Sequence, residues 1–355
     1  MLLQPGQPPP PLAHPVARLG DVVTCRIAAR DVPAVRSHSS VISLKASRTF
    51  AAPEVACAAG PGPAGPPRRG LDGLTGRHVV MAFLDWGCDF AHPNFRTADG
   101  RTRLLALWDQ GGVGAPGNRY GYGRIHDRAA IDRALTRPDP YAALGYHPCH
   151  SDPLGRGAHG THVMDIAAGN GRLAGSAPGL APEAELVFVQ LAARTPARCD
   201  LGDSMRLLEA VDFVCGTAGA RPWVANLSLG RTGGPHTGRS LVERALDAVL
   251  EEAPGRFIAQ SCGNYLDRHL HAEGWVRPGG VAALDWHLEP ADLTPNELEV
   301  WYAGCDRFEV ELQAPGGERF RAPLDQTAAI TIDGREVGRL HHRADDPLTR
   351  DHHVD

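Results

Sequence analysis

Four segments of the chain are apolar almost without a break: HVVMAFLD (78–85), ELVFVQL (185–191), WVANLSL (223–229) and FIAQSC (257–262). Short runs of this kind, rich in β-branched residues, are the pattern of strands buried on both faces. Helical periodicity fills the gaps between them. His159–Ala168 ends at Gly169, which reads as a C′ glycine. Asp203–Cys215 carries apolar residues at 205, 207, 208, 211 and 214, and Leu241–Leu250 has the same spacing. Strands and helices that alternate with short connections predict an α/β core with a mostly parallel sheet. In such a sheet the chemistry gathers at the carboxyl ends of the strands.

The pattern changes at both flanks. Before residue 70 two proline clusters, Pro5–Pro15 and Pro61–Pro67, predict extended, poorly packed chain. Between them Asp21–Ile27 and Val41–Lys45 alternate as strands do, with room for a helical turn in between. After residue 275 the segments ELEVWYAG, RFEVELQAP and AAITIDG are short alternating strands set off by Gly, Pro and Asp turns. The expected organisation is a proline-rich leader over 1–70, an α/β core over 71–275 and a β-rich module over 276–355.

Composition narrows the function classes. With 36 basic and 41 acidic residues the net charge is −5, which argues against a nucleic-acid surface. No apolar run approaches the ~18 residues a membrane-spanning helix needs, and no secretory signal is visible in MLLQPGQPPPPLAHP. A cytoplasmic location is the default expectation, and oligomeric state is left open. The eight cysteines are scattered without a CxxC pair, so neither a disulfide framework nor a zinc-ribbon spacing is present.

Three segments carry candidate chemistry. Asp85 closes a strand and is followed by Trp86-Gly87; RGAHGTHVMDIAAGNG (156–171) opens a helix with His159 and His162; FIAQSCGN (257–264) runs a strand into Gly263-Asn264. Each has an ordinary structural explanation when taken singly: a strand-ending turn, a pair of satisfied histidines, a Gly-Asn turn. The histidines also permit a metal reading, with His147, Cys149 or His150 as further ligands, although the HExxH pattern is absent.

In combination and in this order the segments resemble the subtilisin-like serine peptidases, the subtilases, from about Arg77 to Tyr265. HGTHV with GNGRLAGSAPGLAPEAELVFVQL behind it looks like the family's HGTHVAG and its G-x-A-P segment. NLSLG (226–230) resembles the substrate-strand motif and SCGN the oxyanion AGN. DWGCDFAHPNF departs modestly, standing where the family usually has DTG or DSG, while Gly87 and His92-Pro93 match. The separation of Asp85 from His159 is longer than in compact members, implying an insertion over roughly 100–155.

The resemblance implies peptide-bond hydrolysis of peptide or protein substrates. His159 would be the general base, Asp85 its orienting partner and Asn264 the oxyanion donor. Ser228, Leu229 and Gly230 would lie along the bound peptide. His162 would be structural. The resemblance requires no cofactor; structural calcium, common in the family, finds no clear acidic loop here. One part of the pattern is missing. No serine follows Ser261, so the Gly-Thr-Ser nucleophile motif is absent. Cys305 sits in a strand-to-turn context and Ser204 at a helix start that N-capping explains. Two explanations remain: a longer subtilase whose remainder carries the serine, or an inactive, peptide-binding pseudoprotease. The first is favoured, because 276–355 resembles the opening of a β-sandwich insertion and ends polar, without a closing strand. The leader would occupy the place of a propeptide.

Overall fold

A computed structural model describes residues 1–51, 73–113, 117–151, 158–192, 200–230, 232–264, 268–289 and 296–355. The Pro61–Pro67 cluster lies outside the described residues. The chain divides into two compact units, one formed by Met1–Arg231 with Ala245–Asn264, the other by Thr232–Arg244 with Tyr265–Asp355.

The first unit opens with a small sheet of β1 (Leu2–Leu3), β2 (His14–Leu19), β3 (Val22–Arg26) and β4 (Val41–Ser43), in the order β2-β3-β1-β4. The helical turn expected between β3 and β4 is α1 (Val32–Arg36), preceded by a 3-10 turn at Ala29–Asp31. These residues have a core of their own in Met1, Leu3, Ala13, Val23 and Val35. The expectation of poorly packed chain over Pro5–Pro15 is therefore corrected: Pro10 and Ala13 are buried and Pro15 pairs with Cys25 in the sheet. Two extended segments close antiparallel hydrogen bonds around a tight turn at Gly20, and this offsets the low strand propensity of proline. A fifth strand, β5 (Thr49–Ala51), ends the segment.

The core of the unit is a six-stranded sheet of β6 (Val80–Asp85), β7 (Leu104–Asp109), β8 (Arg124–Asp127), β9 (Glu185–Gln190), β11 (Trp223–Leu227) and β12 (Arg256–Gln260). A short β10 (Asp200–Asp203) pairs instead with β5. The sheet order is β12-β11-β6-β9-β7-β8, parallel throughout except for the β7–β8 edge pair. All four apolar runs became strands. The insertion over 100–155 supplies β7, β8, α2 (Arg128–Leu135) and α3 (Pro140–Leu144). The remaining helices are α4 (His159–Ala168), α5 (Ser204–Ala218) and α6 (Leu241–Glu252). On one face Phe83, Leu107, Leu186 and Phe188 pack with Phe90, Phe95, Ile131 and Met164. Burying side chains of this size contributes on the order of 2 kcal/mol each.

Two sequence expectations are corrected here. FIAQSC is not buried on both faces: β12 has β11 as its one neighbour among the described residues, and Phe257 is 61% exposed. Gly169 does not end α4 in the left-handed region, since its φ is −58°. Glycine is needed there because a Cβ would lie 2.8 Å from the backbone carbonyl oxygen of Asp165.

In the second unit β13 (Val300–Tyr302), β16 (Gln326–Ile332), β17 (Arg335–Arg343) and β18 (His352–Val354) form an antiparallel sheet ordered β13-β18-β17-β16. β14 (Glu311–Gln313) pairs with β15 (Arg319–Arg321). The expectation that this module lacks a closing strand is also corrected, because DHHVD contributes β18, paired with both β13 and β17. Its histidines read as polar but are buried, and Nδ1 of His352 accepts the Asp345 amide at 3.0 Å. No helix among the described residues is long and apolar enough to cross a membrane.

Candidate active site

Asp85 is the last residue of β6, in register with Gln190 at the end of β9, and is fully buried. Beyond it the chain turns through Trp86 and Gly87. Gly87 has φ +75°, and a Cβ on it would lie 2.6 Å from the Cα of Ala158. Only glycine lets this turn approach the start of α4 so closely. The helix has no side-chain cap. The turn caps it instead: Gly160 N–H donates to Trp86 O at 2.6 Å, and Thr161 N–H to Gly87 O at 2.9 Å. Two of the N–H groups that a helix start leaves unpaired are satisfied in this way. Gly160 is itself forced, since its Cβ would sit 2.5 Å from Phe188 Cζ.

This junction brings His159 to Asp85. Nδ1 of His159 lies 2.7 Å from Asp85 Oδ1, and the same oxygen accepts the Trp86 amide at 2.7 Å. The carboxylate orients the ring: Nδ1–H donates, which leaves Nε2 as the acceptor. Burial pushes the Asp85 carboxyl above the ordinary carboxylate range, against the opposing pull of the His159 and Trp86 hydrogen bonds. Asp85 Oδ2 has no hydrogen-bond partner among the described residues. His159 is partly exposed, its side chain at 24%, and its other flank is covered by Trp86, stacked with ring centroids 4.1 Å apart and planes 5° apart.

A second layer fixes the turn. Gly87 N–H donates to Gln190 Oε1 at 2.6 Å, and Tyr146 OH donates to the same oxygen at 3.0 Å while accepting the Cys88 amide at 2.9 Å. Thr161 Oγ donates to Gly87 O at 2.8 Å and accepts the Asp89 amide at 2.7 Å. Gln190, Tyr146 and Thr161 were not singled out in the sequence. Their one signal was proximity to the motif, and only Thr161 has that.

The other expected site residues follow neighbouring strands. Ser228, Leu229 and Gly230 leave the carboxyl end of β11, beside β6; Leu229 is buried, and Ser228 Oγ accepts from Asn226 Nδ2 at 2.9 Å. The Leu229 carbonyl accepts a hydrogen bond from Gln260 Nε2. Asn264 follows β12 on the same edge of the sheet and is exposed; among the described residues it makes no hydrogen bond to Asp85 or His159. The structure thus joins Asp85 to His159, and topology alone aligns the remaining residues. His162 is exposed on α4. Among the described residues no group of three or more His, Cys, Asp or Glu is arranged to hold a metal ion.

One strand pairing was not read from the sequence. β10 precedes α5, and β5 lies antiparallel on it, with Asp200 opposite Ala51 and Asp203 opposite Thr49. Asp203, not Ser204, caps α5, accepting from Met205 N at 3.1 Å and Arg206 N at 3.0 Å. Ser204 Oγ accepts the Arg48 amide at 3.2 Å.

A largely parallel sheet with an aspartate ending one strand and a histidine opening the helix packed on it defines a subtilisin-like α/β protein. The model of the subtilase family, Peptidase_S8, matches residues 76–292, and the chain belongs to that family. Among solved structures, the CspB protease of Clostridium perfringens is similar with a TM-score of 0.61 and 19% identity, over 80% of this chain and 57% of that one. The chain thus spans little more than half the length of that protein, and the likeness is one of fold. An S41 psychrophilic protease aligns at 24% identity with a TM-score of 0.35, over 54% of this chain and 47% of its own. A cold adapted subtilisin-like serine proteinase aligns at 17% and 0.30, over 54% and 49%. No curated protein matches.

Proposed function

We propose that this chain carries the acid–base half of a serine endopeptidase acting on peptide or protein substrates. The observation that supports it most directly is the 2.7 Å contact between buried Asp85 and His159 Nδ1. In this reading His159 Nε2 takes the proton from a serine Oγ as that oxygen attacks the scissile carbonyl carbon. The proton passes to the departing amine; water, deprotonated by the same nitrogen, then attacks the acyl carbon, the acyl–Oγ bond breaks, and the imidazolium returns the proton to the serine Oγ. Asp85 holds the tautomer and stabilises the imidazolium. Asn264 donates its side-chain amide to the oxyanion, and Ser228–Gly230 pairs with the substrate backbone as an added strand. No cofactor enters these steps.

The serine lies outside the 355 residues in this reading, because none follows Ser261. The same fact favours a second reading, a subtilase-like protein that binds peptides without cleaving them. Residues 1–51 act as a propeptide-like unit: β5 lies along β10 as a strand, and Gly20 approaches α6 so closely that a Cβ would be 2.6 Å from Ala248 Cβ.

A fluorophosphonate probe tests the assignment. The 355-residue chain is expected to remain unlabelled. A gene product that continues past residue 355 into a Gly-Thr-Ser motif is expected to be labelled, and His159→Ala to abolish it. Labelling of the 355-residue chain that survives Ser204→Ala and Ser261→Ala contradicts the assignment. A continued product that stays unlabelled and still binds peptide establishes the second reading.

A further inference from the structure

The side chain at the centre of the Asp85 turn is tryptophan, where the family resembled by the sequence has a small hydroxyl residue. Its indole is 1% exposed and lies parallel to the imidazole of His159, with centroids 4.1 Å apart and planes inclined by 5°. Its backbone is held at both ends, the N–H by Asp85 Oδ1 at 2.7 Å and the carbonyl by the Gly160 amide at 2.6 Å. The next amide is held by Gln190 Oε1 at 2.6 Å. The indole is therefore a fixed wall. A single hydrogen bond at Nδ1 leaves the imidazole free to swing about that contact, and a flat wall against one face removes that freedom.

We propose that Trp86 is a positioning residue for His159. Its ring keeps the imidazole in the plane in which Nδ1 meets Asp85 and Nε2 faces outward. It also presents a π face to the imidazolium that forms when Nε2 is protonated. Indole is the best natural partner for such a cation, so the stack contributes most in the transition state, where charge has developed on the ring. The consequence for rate rests on the peptidase reading; the restraint on the ring does not.

The test uses the 355-residue chain with ¹⁵N-labelled histidine, with His159→Gln identifying the resonances of His159. Water exchange of the Nδ1 proton and the shifts of the ring C–H protons are read in wild type, Trp86→Leu and Trp86→Phe, with thermal melting as the control for folding. Trp86→Leu is expected to speed exchange by about tenfold, the size of one aromatic stack, and to abolish the upfield ring-current shift. Trp86→Phe is expected to restore most of both. A leucine variant that melts like wild type and holds its Nδ1 proton as tightly overturns the proposal, as does a phenylalanine variant that exchanges as fast as leucine. If leucine unfolds the chain, phenylalanine decides alone: a reduced but present upfield shift supports the stack and its absence overturns it. Where peptide hydrolysis is measurable, Trp86→Leu lowers kcat about tenfold with KM unchanged. An active enzyme whose kcat ignores the substitution overturns this proposal alone. A Trp86-dependent Nδ1 proton, in a gene product that continues past residue 355 into a Gly-Thr-Ser motif and still shows no peptidase activity, supports it and removes the peptidase reading.

Discussion

His126, on β8, is 4% exposed, and its Nε2 has no hydrogen-bond partner among the described residues. Burial is the main reason its pKa falls to about 4, with Arg124 adding to the effect. The unfolded chain binds a proton near the ordinary value of ~6.5, so protons favour the unfolded state. The stability from keeping His126 neutral is complete above that value and is lost as pH falls toward 4. Denaturant titrations at pH 7.5 and pH 4.5 are expected to differ by roughly 3 kcal/mol in wild type, with His126→Leu removing most of the difference. A slope unchanged by the substitution would locate the acid sensitivity elsewhere. Such a residue was not legible in the sequence, because its place in the fold depends on the pairing of β8 with β7, which sets His126 opposite Leu107.

At the scale of elements, the start and end of α4 are held by different devices. The start is capped by the Trp86 and Gly87 carbonyls, and this is what couples helix position to Asp85. At the other end Arg103, preceding β7, points its buried guanidinium at carbonyls only: Ala168 at 2.6 Å, Ala184 at 2.8 Å and Asn94 at 3.1 Å. Burial lowers its pKa to about 10, so it stays charged at neutral pH and complements the negative end of the helix. Arg103→Met is expected to destabilise the chain by roughly 3 kcal/mol, since it strands several buried acceptors. Arg103→Lys recovers only part of this, because an ammonium cannot span the same carbonyls. Calorimetric melting reads both, and a methionine variant of wild-type stability would show that the carbonyls find other donors. The strands and helices of the core were readable from apolar periodicity, since β6, β9, β11 and α4 are local patterns. Arg103 was not, because its partners lie on three separate segments.

On the scale of the whole molecule, the amino-terminal sheet is tied to α5 through one buried carboxylate. Glu209 is fully buried and accepts from Arg26 Nη1 at 3.1 Å and Tyr122 OH at 2.7 Å. Arg206 lies over the Tyr122 ring at 4.3 Å. Arg26→Ala leaves Glu209 short of a partner and is expected to lower stability by about 2 kcal/mol, moderated by the partial exposure of Arg26. Hydrogen exchange is expected to rise across β1–β4 while β6 and β9 keep their protection. Uniform loss of protection would mean that the sheet and the core unfold as one.

What the sequence determined by itself was local and periodic. The apolar runs dictated the parallel strands, and the order of Asp85, HGTH, NLSLG and SCGN dictated the resemblance, because both depend on neighbours within a few residues. Tertiary structure decided whatever required distant residues to meet. It set Trp86 flat against His159, laid β5 along β10, made a strand of histidine-rich DHHVD and packed the proline-rich start into a sheet. Burial and partners outweigh intrinsic polarity in each of these cases, and neither is written in the residues that become buried.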